Sequence, residues 1–151
     1  MLKVRIIPTL LWKNYTLVKG VSFNSWRRVG TIIPAIKVYN TRQVDELIVV
    51  DITATDDKRE PEYDIINDFA AECFVPLTVG GGVNSVEIIK KLLRVGADKI
   101  AINSAIYNNP EIIRKGASLF GNQCIIASID VKKDKNGKYI CYSNSGKVST
   151  G

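Results

Sequence analysis

The chain contains no histidine among its 151 residues. This excludes histidine-based triads, histidine general bases and most catalytic zinc sites. Acid–base chemistry must therefore come from Asp, Glu, Lys, Tyr or Cys side chains. The sequence predicts neither a metal site nor a bound cofactor.

Cysteine is scarce, with Cys73, Cys124 and Cys141 far apart in the chain. An odd number at wide spacing does not indicate a disulfide framework or a metal site. The pattern is typical of reduced thiols, and it predicts a cytoplasmic protein.

Long apolar runs are also missing, since the longest ones have the length of a strand. We therefore expect no membrane helix, and the opening MLKVRIIP lacks the apolar core of a secretory signal. The net charge of +6 fits an anionic small molecule or nucleic acid. Because no basic run is interleaved with aromatic residues, we predict a small molecule and no nucleic acid.

Apolar runs with β-branched residues alternate with helical patterns along the chain. Strands are predicted at 4–11, 46–52, 74–79, 98–104 and 124–131. Helices are predicted at 33–40, 62–73, 85–96 and 109–120, with Asn84 as the cap of the third helix. A small hairpin is predicted around Asn136-Gly137. Strands separated by helices indicate an α/β fold with a parallel sheet.

Two α/β architectures compete, an open doubly wound sheet and a closed (β/α)8 TIM barrel. No G-x-G-x-x-G follows the first strand, which disfavours a dinucleotide-binding sheet. The stretch IIPTLLWKN (6–14) recurs as IIASIDVKK (125–133), four βα units later. This repeat favours a barrel built from two similar halves. Residues 1–151 would then form a single partial barrel domain with five strands and four helices. We therefore expect the sequence to be a fragment or a truncated chain.

Side chains alternate between the two faces of a strand, which predicts two clusters. Leu11, Asn103 and Asp130 would surround the carboxyl-terminal mouth, where barrel enzymes have their active sites. At the opposite end, the first, second and fourth strands would bring together Arg5, Glu46 and Lys99.

The run Gly80-Gly81-Gly82 lies between the third strand and a helix. Its backbone N–H groups would suit a phosphate, and so would those at Asn103-Ser104. A tight strand-to-helix turn explains the glycines equally well.

Six blocks together resemble one known family, across essentially the whole chain. They are RII (5–7), LVKG with Phe23 (17–23), DELIVVDITA (45–54), PLTVGGGV (76–83), GADKIAINSA (96–105) and SID (128–130). The family is the cyclase subunit of imidazole glycerol phosphate synthase, a lyase of histidine biosynthesis.

The resemblance implies a barrel that forms a heterodimer with a glutaminase subunit. It receives ammonia from this partner and closes an imidazole ring on a substrate with a phosphate at each end. Gly82, Asn103 and Ser104 match positions that bind one phosphate. Lys19 and Phe23 match the mobile loop that covers the substrate.

Further matches concern the ammonia passage and the catalytic groups. Arg5, Glu46 and Lys99 match residues that gate the passage at the bottom of the barrel. Asp98 matches a residue that faces the glutaminase, and Asp130 matches one of two catalytic aspartates.

The chain departs from the family at Leu11, where the other catalytic aspartate belongs. It resembles more closely a group of cyclase-like barrels associated with amidation of surface-polysaccharide sugars, which carry an apolar Pro-x-Leu-Leu stretch on the first strand. There the barrel would supply ammonia to a separate sugar-amidating enzyme.

Alternatives remain open at this point. The protein is a divergent amidation subunit, a genuine cyclase, or an inactive truncated remnant. Asp130 is a catalytic group or a hydrogen-bonded carboxylate at a strand end. Arg5, Glu46 and Lys99 form a gate, a structural ion cluster or both. Asp51 contacts substrate or only holds its loop, and the run DDKRE (56–60) is expected to be a solvated loop.

Overall fold

A computed structural model describes residues 4–21 and 23–150 of the chain. In chain order its elements are β1 (Thr9–Lys13), β2 (Thr16–Val21), β3 (Asn24–Gly30), α1 (Ile32–Thr41), β4 (Leu47–Asp51), α2 (Tyr63–Glu72), β5 (Leu77–Gly80), α3 (Val86–Arg94), β6 (Lys99–Ile102), α4 (Ser104–Asn108), α5 (Glu111–Phe120), a 3-10 turn (Asn122–Cys124), β7 (Ile125–Ala127), β8 (Asp130–Lys133), β9 (Tyr139–Ser143) and β10 (Val148–Ser149).

The main sheet has the strand order β3-β2-β1-β4-β5-β6-β7. Its strands β1, β4, β5, β6 and β7 are parallel to one another, whereas β2 and β3 are antiparallel additions beside β1. Helices follow β4, β5 and β6 directly, and α1 follows β1 after the β2–β3 hairpin. The predicted fold class is confirmed: the strands and helices are the first part of a (β/α)8 barrel.

One face of the parallel strands is covered by the helices and carries the hydrophobic core. Its strand residues include Leu10, Trp12, Val49 and Ile100, all at most 4% exposed. The helices contribute a second group, composed of Ile36, Ile66, Phe69, Ile88, Ile89, Leu92 and Ile112. Side-chain alternation along the strands leaves the other face, the inner face of the barrel, for the polar residues.

The third helix is capped by Ser85 and not by Asn84. The hydroxyl of Ser85 accepts a hydrogen bond from the N–H of Ile88 at 3.2 Å, as N-cap hydroxyls do. The predicted capping residue was therefore wrong by one position. Within the described residues no helix has the length and hydrophobicity needed to cross a lipid bilayer.

The first strand begins later than predicted, at Thr9 instead of residue 4. The carbonyls of Ile6 and Pro8 still accept hydrogen bonds from Asp45 and Ile48, so the preceding backbone already lies beside β4. Pro8 cannot donate a hydrogen bond to the neighbouring strand, because proline has no backbone N–H.

The resemblance matched Lys19 and Phe23 to a mobile loop, and the structure has two strands there, β2 and β3, which pair as a hairpin. The hairpin pairs with β1 through Leu11 and Val18. Trp26 packs across Gly20, where an added Cβ would lie 2.5 Å from the indole ring. This close contact ties the two strands of the hairpin together.

The fifth predicted strand, 124–131, is divided in two. β7 pairs with β6, and the N–H of Ser128 still donates to the carbonyl of Ile102 at 2.8 Å. The chain then leaves the main sheet, and Asp130 begins β8 of a separate sheet of order β10-β9-β8. The hairpin predicted around Asn136-Gly137 is confirmed as the connection between β8 and β9.

We expect Leu92→Ala to lower the free energy of unfolding by about 2–5 kcal/mol, because the side chain is fully buried and its removal leaves a cavity. Leu119→Ala is the matched control, since Leu119 is 65% exposed and its loss should cost less than about 0.5 kcal/mol. Urea unfolding followed by circular dichroism measures both. Equal losses would contradict the assignment of the core to the helix-covered face.

Candidate functional site

A cavity of about 490 Å³ lies at the carboxyl-terminal ends of the parallel strands. Most of the predicted site residues line it, namely Leu11, Asp51, Gly82, Asn103, Ser104 and Asp130. Lys19 does not line it, because it lies exposed on β2 beside Arg27. Phe23 and Trp26 bring the β2–β3 hairpin to the cavity edge in its place.

Leu11 and Asp130 reach the cavity from opposite edges of the parallel part of the sheet. Leu11 lies on the inner face of β1, and Asp130 follows β7, which is four strands further along the sheet order. The apolar Leu11 side chain offers no proton donor or acceptor on its side.

Asp130 is half-buried, and burial raises the pKa of its carboxyl group. Hydrogen bonds from the Asn103 side chain and the Gly146 backbone, and the charge of Lys132, oppose this rise because they favour the ionised form. The Oδ1 atom of Asn103 is itself buried and has no partner among the described residues. Asn103 therefore contacts the carboxylate with its amide nitrogen and keeps an unused acceptor.

The glycine run follows β5 and forms a tight turn in which side chains do not fit. Gly81 has φ +103°, and a Cβ there would lie 2.2 Å from the carbonyl oxygen of Asp51. Gly82 has φ +71°, and a Cβ would lie 2.9 Å from the carbonyl oxygen of Arg59. The turn explanation is thus supported by the backbone conformation and by the close approach of the β4 loop.

Two groups matched to phosphate binding already have partners in the protein. The N–H of Gly82 donates to Thr55 Oγ1 at 3.3 Å, a long hydrogen bond. Ser104 Oγ accepts from the N–H of Asn144 at 2.9 Å. The Ser104 hydroxyl proton is not used by that bond and can be donated to a ligand oxygen.

Asp51 holds the loop that follows β4. Its Oδ1 accepts from the N–H groups of Thr53 and Ala54 at 2.9 and 3.1 Å. Its Oδ2 accepts from Arg59 at 2.6 Å. Both oxygens are therefore engaged within the loop, which favours the loop-holding alternative for this residue.

Sequence reasoning missed Arg59, which was assigned to a solvated loop. Its guanidinium group bridges Asp51, Asp57 and Glu62, and its side chain is 30% exposed. The signal available in the sequence was an arginine within an acidic stretch, with Asp56, Asp57, Glu60 and Glu62 close by, in the loop that follows a strand.

The three residues predicted at the opposite end do form one cluster. Glu46 is buried, and its two carboxylate oxygens accept from Arg5 and from Lys99, the latter at 2.5 Å. Asp98 lies next to Lys99 at the same end, is exposed, and accepts from the N–H of Leu77 at 2.7 Å. The cluster therefore lies at the amino-terminal ends of β4 and β6.

The described residues contain no group of three or more Cys, Asp and Glu side chains arranged to hold a metal ion. The polar groups of the cavity are amide, hydroxyl, backbone N–H and carboxylate groups and the cationic side chains of Lys58 and Arg59. Such a set binds a polar organic or phosphorylated ligand through hydrogen bonds.

A parallel β/α sheet with its polar cavity at the carboxyl ends of the strands defines the class as a barrel of the (β/α)8 type. The chain belongs to the family described as "Histidine biosynthesis protein", whose family model matches residues 5–151. The predicted relationship is thereby confirmed at the level of this family, whereas the closer resemblance to sugar-amidation barrels stays a prediction.

Several relatives are similar over almost the whole chain. "Imidazole glycerol phosphate synthase subunit HisF" of Bacillus cereus strain AH187 is 45% identical over 151 residues, covering 100% of this chain and 60% of the relative. "Putative imidazole glycerol phosphate synthase subunit hisF2" of Campylobacter jejuni is 45% identical over 148 residues, covering 98% of this chain and 58% of the relative. The chain thus spans about three-fifths of the length of these curated relatives.

We expect Lys99→Met to destabilise the protein by about 1–3 kcal/mol, because it removes the less exposed cation from buried Glu46. Arg5→Met should cost less than about 1 kcal/mol, since the Arg5 side chain is 62% exposed. Chemical denaturation of both variants at neutral pH measures the difference. A larger loss for Arg5→Met would show that the cluster is organised differently.

Asn103→Leu should raise the pKa of Asp130 further, because it removes a hydrogen bond that favours the ionised carboxylate. Carboxyl ¹³C chemical shifts recorded across a pH titration give this pKa directly. Asn108→Leu is the control, since Asn108 also lines the cavity and does not contribute to the shift at Asp130. An unchanged titration in Asn103→Leu would disprove the contact.

Proposed function

We propose that this chain is part of a cyclase-like subunit of a glutamine-dependent amidotransferase that serves sugar amidation. In this proposal the barrel receives ammonia from a glutaminase partner and binds a phosphorylated substrate. The observation that carries it is Leu11, which faces the same cavity as Asp130, while Arg5, Glu46 and Lys99 remain assembled at the other end.

Ring closure needs proton transfers in both directions, which two carboxylates on opposite sides of the substrate can provide. Leucine can neither accept nor donate a proton. Loss of one positioned general acid–base group typically lowers a rate by about 10²- to 10⁴-fold. The cavity has Asp130 on one side only, so an efficient cyclase is disfavoured.

Passage of ammonia would require an entry and polar partners along the inner face. The cluster around Glu46 supplies charged groups that can separate to open the amino-terminal end. Thr78 lies beside Lys99 in the β5–β6 register, and its buried Oγ1 has no partner among the described residues. A small hydrogen-bonding molecule moving toward the cavity would find a partner there.

The phosphorylated substrate is supported by the positions matched in the resemblance. Gly82 and Ser104 line the cavity, and the Ser104 hydroxyl retains a free proton for a phosphate oxygen. A net charge of +6 favours attraction of such an anion. The relatives named as subunits of imidazole glycerol phosphate synthase support the same ligand class.

Docking of the glutaminase is proposed at the amino-terminal end, beside Asp98. This residue is exposed while its carboxylate is fixed by the Leu77 N–H. A carboxylate held in one orientation loses less entropy when a partner's cation binds it. In this proposal the glutaminase binds next to the cluster of Arg5, Glu46 and Lys99.

Leu11→Asp tests the central claim in a histidine auxotroph that lacks the cyclase, with the protein expressed at the full length that its gene encodes. We expect no rescue by the unchanged protein and measurable rescue by Leu11→Asp, because a second carboxylate should raise the cyclase rate about 10²- to 10⁴-fold. Thr9→Asp is the matched control, since Thr9 also lines the cavity from the inner face of β1. It should not rescue.

Rescue by the unchanged protein would overturn the proposal in favour of a genuine cyclase. That second candidate is supported by the 45% identity to HisF subunits and by Asp130 in the cavity. Co-purification with a glutaminase distinguishes the amidation subunit and the genuine cyclase from an inactive remnant. A remnant would neither bind the glutaminase nor stimulate glutamine hydrolysis.

A further inference from the structure

The loop between β4 and α2, residues 52–62, packs against the glycine turn at the cavity. Thr55 Oγ1 accepts the hydrogen bond from the N–H of Gly82. A Cβ at Gly82 would lie 2.9 Å from the carbonyl oxygen of Arg59 and 3.0 Å from Cβ of Ala54. The loop therefore contacts one of the backbone groups that the resemblance matches to phosphate binding.

Lys58 ends a short helical turn in this loop. The N–H of Arg59 donates to the carbonyl of Ala54 at 3.0 Å, and the N–H of Lys58 donates to the carbonyl of Thr55 at 3.2 Å. These two hydrogen bonds, which span five and three residues, are the pattern of a Schellman motif. The residue at the position of Lys58 in such a motif is left-handed and is usually glycine.

The backbone of Lys58 has this left-handed conformation, with φ +53°. A residue with a side chain is strained there, because its Cβ lies too close to the neighbouring backbone, and glycine avoids the strain. Residues held in such conformations are concentrated at ligand sites, where the strain accompanies a function. Since Lys58 also lines the cavity, a lysine in place of glycine indicates a use for its ammonium group.

Lys58 carries the positive charge of the cavity that has no partner in the protein. Within the described residues, the cationic side chains that line the cavity are those of Lys58 and Arg59. Arg59 is held by three carboxylates, those of Asp51, Asp57 and Glu62. The ammonium group of Lys58 has no hydrogen bond, ion pair or ring contact with any residue that the structure describes.

The neighbouring donors in the cavity are neutral. The N–H of Gly82 is bound only weakly, because its hydrogen bond to Thr55 Oγ1 is 3.3 Å long. The hydroxyl groups of Thr55 and Ser104 each accept a hydrogen bond from a backbone N–H and keep a proton to donate. These groups can orient a phosphate, but they supply no charge to balance it, and charge-assisted hydrogen bonds are the stronger ones.

We propose that Lys58 binds a phosphate group of the substrate, in a subsite that it shares with the Gly82 N–H and the hydroxyl groups of Thr55 and Ser104. Its ammonium group supplies the charge that the neutral donors lack, and the Schellman motif holds its backbone beside them. The choice of a phosphorylated ligand rests on the proposed function. The assignment of Lys58 rests on its conformation, its place in the cavity and its lack of a partner among the described residues.

A titration with inorganic phosphate tests this assignment, with the ¹⁵N-labelled protein expressed at the full length that its gene encodes. The amide resonance of Gly82 is followed, because it reports on this subsite and not on phosphate bound elsewhere. We expect Lys58→Met to weaken phosphate binding about 5- to 30-fold, because it removes a charge-assisted hydrogen bond. Lys58→Arg keeps the charge and should remain within about threefold of the unchanged protein.

Lys58→Gly separates the binding role of the side chain from its effect on the backbone. Glycine relieves the strain, so the midpoint of thermal unfolding should rise by about 1–4 °C, while phosphate binding weakens as in Lys58→Met. Gln43→Gly is the matched control, since Gln43 is exposed, has a similar φ of +52° and does not line the cavity. It should raise the midpoint in the same way and leave phosphate binding unchanged.

Lys90→Met controls for the loss of one positive charge, because Lys90 is exposed on α3 and does not line the cavity. It should bind phosphate as the unchanged protein does. Undiminished binding in Lys58→Met, an equal loss in Lys90→Met, or a lower unfolding midpoint in Lys58→Gly would overturn the assignment and leave the proposed function standing. If the Gly82 amide of the unchanged protein does not respond to phosphate, the assignment fails together with the phosphorylated substrate of the proposed function.

Discussion

The strict alternation of side chains along five parallel strands is the constraint on which the rest of the molecule depends. Helices cover one face, and that face must be apolar, so residues such as Leu10, Val49 and Ile100 are fixed as core. Every chemically active group is thereby assigned to the inner face or to a strand end. Lys99 and Asn103 share that face because they are four residues apart in the chain, and the register pairs Thr78 with both Lys99 and Ile48, two residues after Glu46.

The polar groups of the inner face differ in how many of their hydrogen-bonding atoms have a partner in the protein. Glu46 is fully paired between two cations, and Asp51 uses both oxygens within its own loop. Thr78 Oγ1 and Asn103 Oδ1 are buried without protein partners in the described part of the chain. A buried polar atom without a hydrogen-bond partner raises the free energy of the folded state, and of these two residues Asn103 is the one that lines the cavity, where a ligand can supply the partner.

The elements that were predictable from the sequence are those with a strong local pattern. The buried strands β4, β5 and β6 and the helix α3 follow from continuous or amphipathic apolar runs. The β2–β3 hairpin was missed because Lys19, Arg27 and Arg28 leave no apolar alternation on its exposed face, and its stability comes from pairing with β1 and from Trp26 on Gly20. The break after β7 was missed because IIASIDV continues the apolar pattern while the chain changes sheet at Ser128. The ammonium group of Lys132 lies 5.3 Å from the centre of the Phe23 ring, and no local sequence pattern encodes this contact between distant segments.

The glycine turn after β5 places bare backbone at one wall of the cavity, with Gly81 pressed against the carbonyl of Asp51. No side chain can be introduced at that wall without moving two strands. Recognition there is consequently limited to peptide groups, whatever ligand the barrel accepts. Changes in substrate choice must instead arise from the walls made by β1 and by the chain after β7, where Leu11 and Asp130 project side chains into the space. Single substitutions can therefore change the walls made by β1 and by the chain after β7, whereas the glycine wall tolerates almost no substitution.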